Sequence, residues 1–271
     1  MKSRILIVIA GLAGLLNADT ADDLQQKART ILQEGYADKN PDTRRDVAAA
    51  IGLIGAREKV VSGLEQILKD PDYQVRAAAV GALADLRDKS TVPLLEQALR
   101  DSVPEVAFPA ARALWALKEQ SGREALLAIY QKQEKGSSNA LTSTWRKTRR
   151  QLKTPRSALM FGMQQGMGFV PVPGLGMGYS AVESMVSDPT FSVRATAFLM
   201  LSSQADEGVV ALAHTGLIDD DWSVRAVSIQ ILAMQGKPSD GAAVARLFDD
   251  KKQKVRFRAA AAYLRFGLEA Q

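Results

Sequence analysis

Among 271 residues there is one histidine, His214, and no cysteine. These two counts close off much of side-chain chemistry. A Cys/His zinc site is excluded, and a triad resting on an imidazole base has a single candidate. His214 runs into Thr215-Gly216 at the close of an apolar segment, the setting of a helix end rather than of a base. No Gly-x4-Gly-Lys-Ser/Thr phosphate loop occurs. Gly174-Leu175-Gly176-Met177-Gly178 has the glycines of a dinucleotide turn, but no strand pattern precedes it. An enzyme would be left with a site built of carboxylates alone. The reading is of a chain with no catalytic residue, no metal and no cofactor.

The charged residues that recur are aspartate and arginine, at fixed places in a repeated phrase. It is clearest at Asp70-Pro71-Asp72-Tyr73-Gln74-Val75-Arg76-Ala77. It returns around Asp188 with Arg194, Asp219 with Arg225, and Asp250 with Arg256; Asp101 opens a weaker copy in which Ala107 takes the arginine position. The valines of the phrase stand 31 residues apart from Val75 to Val106, from Val193 to Val224 and from Val224 to Val255. A fixed period of this size is the mark of a stacked repeat. The arginines could form a basic stripe for an acidic partner, but charges placed once per repeat are read as bonds between neighbouring repeats.

Each phrase must sit on a helix. The Asp five residues before each Val is expected to cap it. A small residue follows four after the Val (Ala79, Ala110, Ala197, Ser228, Ala259) and a large one eight after (Leu83, Leu114, Leu201, Leu232, Tyr263), which places all three on one face. A second apolar segment follows at Lys59–Leu68, Val92–Leu99, Val209–Leu217 and Ala242–Phe248, after a short polar link. Helix, turn, helix and a new Asp complete the unit. Asn40–Gly55 reads as a first copy, with Asp42 and Val47 holding the phrase loosely and Ala48–Gly52 matching Ala77–Gly81 at a spacing of 29.

The Asp-x4-Val-Arg-x-Ala phrase on this period resembles the HEAT repeat, in the short variant found in phycobilisome lyase HEAT-like proteins, over roughly residues 38–133 and 182–268. The resemblance implies an all-α fold, a right-handed α-solenoid of antiparallel helix pairs of the armadillo type, with a concave face lined by the second helices. It is poor in functional content, because such repeats serve unrelated partners. Deoxyhypusine hydroxylase, built on similar repeats, binds iron through His-Glu pairs, and this sequence has none. The bilin lyases that lend the variant its name work on chromophore-bearing antenna proteins, to which nothing outside the generic repeat points.

Four stretches divide the chain. Residues 1–21 read as a secretory signal peptide: Lys2 and Arg4, an apolar run from Ile5 to Leu16, and small residues at Ala18 and Ala21. An uncleaved anchor or a buried first helix is the alternative. Without cysteine there is neither a lipoprotein attachment site nor a disulfide framework. Residues 22–135 carry N-terminal repeats, with a helix from Asp22 to Tyr36 expected to cap the exposed end of the array. Residues 188–271 carry the C-terminal repeats.

Between them, residues 136–187 break the period, since Val106 and Val193 are 87 apart. Arg146, Lys147, Arg149, Arg150, Lys153 and Arg156 form a run with no acid, and Ser157–Val182 then has no charge and is rich in Gly, Met and aromatics, among them Phe161, Met163, Met167 and Phe169. A degenerate repeat explains this stretch. So does an interaction element, whose cationic and adaptable apolar parts suit a membrane surface or a partner's groove. The net charge of +5 is mild and permits an acidic partner. A chain of this kind is expected to be an exported, periplasmic or secreted scaffold that binds a protein; nucleic acid is a poor fit to an exported chain. A repeat-built enzyme or chromophore-lyase-type protein is the other class, and a membrane-surface protein acting through residues 145–182 a further one.

Overall fold

The computed structural model describes residues 20–55, 58–134, 185–186, 188–202 and 206–269. Among them there is no strand. The helices are α1 (Ala21–Tyr36), α2 (Pro41–Ile51), α3 (Glu58–Ile67), α4 (Tyr73–Leu86), α5 (Val92–Leu99), α6 (Pro104–Ala116), α7 (Gln120–Glu134), α8 (Val193–Leu201), α9 (Glu207–Gly216), α10 (Trp222–Gln235), α11 (Gly241–Ala245) and α12 (Gln253–Glu269). Local chemistry sets their starts. Asp72 accepts from the amides of Gln74 and Val75 at the head of α4, and Asp221 accepts from Ser223 at the head of α10. Asn40 caps α2, where Pro41 takes the first helical position, in which its missing N–H costs nothing. The capping residue is thus the third before the Val, not the fifth. The Asp of the phrase lies outside the helix and does a different job.

The first helices of the units pack in a row: α8 on α10, α10 on α12, α12 on α2, α2 on α4, and α4 on α6. The order in space is therefore not the order in the chain. The C-terminal units come first and the N-terminal units follow. Expected as a cap on a free end, α1 instead packs along α12 and serves as its second helix. One repeat is built from the two ends of the sequence, and the array runs through it.

This seam has its own packing. Ala28 and Leu32 of α1, with Val47, Ala50 and Leu53, share one core with Val255, Phe257, Tyr263 and Phe266. On α2, Ala48 belongs to the next core, with Val75, Ala79 and Leu83, so α2 joins the two. Gly35 lets the Phe257 ring in: a Cβ there would stand 2.5 Å from the ring and 2.7 Å from Val47. Polar contacts close the edges. Lys27 pairs with Asp249 at 2.9 Å, the Tyr263 hydroxyl donates to the Ala21 carbonyl at 3.5 Å, and Arg265 donates to the Leu53 carbonyl at 3.4 Å. Arg258 is fully buried here; desolvation brings its guanidinium down to about 10, against the pull of Asp46.

Two helical phases differ from the sequence reading. Ala79, Ala110, Ser228 and Ala259 are buried, as are Val75, Val106, Val224 and Val255. In α8, however, Val193, Ala197 and Leu201 face outward, and Phe191, Ala195 and Leu199 fill the core instead. The cause is a late helix start. Asp188 holds the amide and hydroxyl of Thr190, the Trp222 indole donates to the Thr190 hydroxyl, and the Ser192 amide donates to Ser223. These bonds hold a turn at 188–191, closed by the Phe191 amide on the Asp188 carbonyl, and delay the helix until Ser192, which caps α8, so that its phase shifts by two residues. In α2 the matching arginine is Arg44, preceded by Asp38. The repeat therefore begins at Asp38, not at Asp42, and Thr43 holds the buried valine position.

Candidate functional site

The recurring Asp and Arg form a chain of bonds along the array. Arg76 donates from Nε and Nη2 to both carboxylate oxygens of Asp101, at 2.7 and 3.1 Å, and from Nη1 to the carbonyls of Asp70 and Pro71. Arg44 does the same to Asp70 (2.7 and 2.9 Å) and to the carbonyls of Asp38 and Lys39. Arg225 repeats it with Asp250 (2.6 and 2.8 Å) and with the carbonyls of Asp219 and Asp220. Each guanidinium ties the loop of its own unit to the Asp of the next. That Asp also accepts the backbone N–H two residues on, at Asp72, Val103, Asp221 and Lys252 for Asp70, Asp101, Asp219 and Asp250. Its carboxylate therefore fixes a turn and a junction at once.

Exposure varies along this series. The Arg225 side chain is 13% exposed, whereas that of Arg194, bonded to Asp219 at 2.7 Å, is 69% exposed. At the seam the chain of bonds is interrupted. Arg256 donates to the Asp250 carbonyl at 2.8 Å, but among the described residues no ion pair joins it to Asp38. At the α8 end, Asp188 meets Lys252 and Lys254, at 3.4 and 3.2 Å, in place of an arginine. At the α6 end, Ala107 stands where an arginine would reach onward.

The electrostatics follow the geometry. The bond from Arg76 holds the Asp101 carboxyl below its ordinary value, against burial, with the Val103 amide adding to the effect. Burial pushes Asp70 up, but the Arg44 bond, the Asp72 amide and two nearby guanidiniums outweigh it and leave it lowered. These charges are spent inside the fold.

Little else carries chemistry. His214 lies in the last turn of α9, with Nε2 3.5 Å from Asp240 Oδ1. No group of three or more His, Cys, Asp or Glu that could hold a metal ion occurs among the described residues. Nor is any described helix long and apolar enough to cross a membrane. The residues expected to make an interaction segment, Arg146, Lys147, Arg149, Arg150, Lys153, Arg156, Phe161, Met163, Met167 and Phe169, lie outside the described residues.

The surface is more informative. Most of the large exposed apolar side chains lie in the two outermost described units. Val193 (85% exposed), Met200, Leu201, Leu212 and Ile218 belong to the α8–α9 unit, and Phe108, Trp115 and Leu127 to the α6–α7 unit. Tyr73, at the head of α4, is a further one at 40%, and among the described residues the units from α10 to α3 show none. On α8 the exposed residues Val193, Ala197, Met200 and Leu201 follow the spacing of one helical face. These are the repeat positions that the other units bury, turned outward here because the helix is rotated. Sequence reasoning missed this rotation, along with the Arg44–Asp70 bond; the second was visible as an Asp and an Arg six apart, as in Asp70 and Arg76.

Comparison with known proteins agrees with this architecture. A family model described as HEAT repeats matches residues 61–140 and 180–265, leaving α1 and α2 outside the matched stretches. Phycocyanobilin lyase subunit alpha of Nostoc sp. is 37% identical over 86 residues, which are 32% of this chain and 31% of that protein. The chain therefore spans about a third of this curated relative's length. The all-helical array, its bonds from repeat to repeat and a family match over more than half of the sequence have one meaning: the chain belongs to the HEAT-repeat family.

Proposed function

We propose that the chain is a non-catalytic repeat scaffold, exported to the bacterial cell envelope, that holds a protein partner. The observation that carries the binding role is the outward stripe of α8. In an outermost described unit, α8 turns to solvent the residue positions that the other units bury, while Phe191, Ala195 and Leu199 fill its core side. Contiguous apolar surface of this kind marks interaction sites in soluble proteins. The second helices α9, α11, α1, α3, α5 and α7 pack along the row of first helices from α10 to α6, and repeat arrays use such extended surfaces for binding. Export rests on the basic and apolar pattern of residues 1–21.

The test is recovery of a partner from the envelope fraction by the chain lacking the leader. Val193→Asp combined with Leu201→Asp should lose the partner that the parent chain retains, with an unchanged circular dichroism spectrum. Equal recovery by both would remove α8 from the binding surface. The basic run at 146–156 supports an added contact with an anionic membrane; Arg149→Glu with Arg150→Glu should then reduce flotation with anionic liposomes at low salt.

A second reading rests on the Nostoc relative, which is named for phycocyanobilin. A repeat scaffold of this kind could carry a bilin rather than a protein. Titration with phycocyanobilin separates the two: a saturable change in its visible spectrum favours the second reading, and a flat response removes it.

A further inference from the structure

The junction of α12 with α2 is the one in the described row where the Arg–Asp series stays open, and its open side is shaped for a ligand. We propose that Arg256 binds a carboxylate from outside the chain, with the same edge that its counterparts turn on a neighbouring aspartate. This site goes beyond the scaffold reading and does not depend on α8.

In Arg44, Arg76 and Arg225 the guanidinium divides its donors between two tasks. Nη1 donates to the carbonyl six residues back, at 3.0, 2.9 and 2.7 Å. Nε and Nη2 together grip a carboxylate of the next unit. Arg256 keeps the first task, donating from Nη1 to the Asp250 carbonyl at 2.8 Å. That bond gives its guanidinium the same anchor, and leaves Nε and Nη2 for the second task. A planar pair of N–H groups of this kind matches both oxygens of a carboxylate at once. The carboxylate due in that place is Asp38. It accepts the Asn40 amide at 2.8 Å, the same turn that its counterparts make, yet among the described residues it forms no ion pair. Both halves of the junction are formed and are not joined.

Phe257 accounts for the gap. The residue after the repeated arginine faces the next first helix, as the bond from Arg45 to Gln74 at 3.1 Å shows for α2 and α4. That place is held by Ala77 in α4 and Ala226 in α10, but by Phe257 in α12. The ring is buried where α1 meets α2, against Gly35 and Val47. A ring where other units carry a methyl group spaces α12 from α2, and a close-packed interior does not yield it readily. Arg256 is half-buried, and the loop that follows it in the row, Asp38 to Asn40, is exposed. A ligand can therefore reach the guanidinium, and partial shielding from water strengthens the bonds it would make there.

Two sources can supply the carboxylate: an acidic side chain of a protein partner, or a free carboxylic acid. The first measurement titrates acetate into the full chain at constant ionic strength, with chloride as the matched salt, and follows the arginine Nε–H signals by heteronuclear NMR. Arg256→Gln assigns the signal that it removes. That signal should move saturably with acetate and not with chloride, while those of Arg44, Arg76 and Arg225, already bonded, stay in place. A movement shared by all arginines, or none at Arg256, overturns the proposal. Asp38→Asn tests whether the junction closes in solution, and should leave the melting temperature and the acetate response unchanged. A lower melting temperature in Asp38→Asn, lowered no further by adding Arg256→Gln, would show that Asp38 fills the site and would overturn the proposal as well. With the acetate response in hand, recovery of a partner from the envelope fraction separates the sources. Its loss in Arg256→Gln assigns the carboxylate to the partner, and recovery equal to that of the parent chain assigns it to a small acid.

Discussion

Arginine at one repeated position meets different surroundings, and its contribution should vary accordingly. Arg225 and Asp250 are both shielded, at 13% and 5% side-chain exposure, and Arg225 also binds two carbonyls of its own loop. Arg225→Ala should cost about 2–4 kcal/mol, because it strands a buried carboxylate and two carbonyls. Arg194→Ala removes a bond of similar length from solvent and should cost less than about 1 kcal/mol. Chemical denaturation of the two variants measures the contrast; equal losses would mean that burial is not the deciding factor. The acid limb follows from the same pairs. Asp101 and Asp70 are held below the ordinary carboxylate range in the folded chain. Their contribution is complete above about pH 4 and is lost as pH falls through the lowered values. Melting temperature should therefore drop below about pH 4. Asp101→Asn should lie below the parent at neutral pH and approach it as the pH falls. A gap that stays constant down to acid pH would show that the pair does not govern acid stability.

At the scale of helices, the small residue on each buried face is the sharpest probe of phase. Ala79 and Ala259 have no exposed surface. Ala79→Leu and Ala259→Leu should each cost ~1–3 kcal/mol through overpacking. Ala197→Leu should change stability by less than about 0.5 kcal/mol, since α8 presents that residue to solvent. A large loss at 197 would mean that a partner or another part of the chain covers α8. The period and the Val-small-large stripe were enough to read an all-helical solenoid and the burial of most first helices. They failed at α8 because its phase is set by the Thr190, Trp222 and Ser192 bonds, which side-chain spacing does not encode. They failed at α2 because Asp38 and Arg44 keep their mutual spacing while the valine between them is replaced by Thr43. As for the candidate site, the charged ladder was legible, since its members recur, but the outward stripe was not, since it arises from the late start of a single helix.

At the scale of the molecule, the pairing of α1 with α12 could not be read from the sequence, because the partners lie 242 residues apart where Tyr263 meets Ala21. No periodic pattern reports a contact of that range. The absence of cysteine makes a direct check clean. A Cβ at Gly267 would lie 3.7 Å from Gln25 Cγ. Gln25→Cys with Gly267→Cys should therefore form a disulfide within one chain, seen as a faster-migrating monomer on a non-reducing gel. A disulfide between two chains would mean that α1 is exchanged between copies, and no disulfide would mean that the seam is open.

Because that seam sits inside the row, the covalent ends of the described array are not its physical ends. Stacked repeats fray from their outermost units, which have a neighbour on one side only. Among the described units the outermost are α6–α7 and α8–α9, the helices nearest the middle of the sequence. Amide hydrogen exchange should then invert the usual profile of a linear repeat protein. Deuterium should enter α7 and α8 first, and α2 and α12 should be among the slowest. A profile that is fastest at α1 and α12 would mean that the ends of the chain behave as loose tails and that the row is not continuous through them.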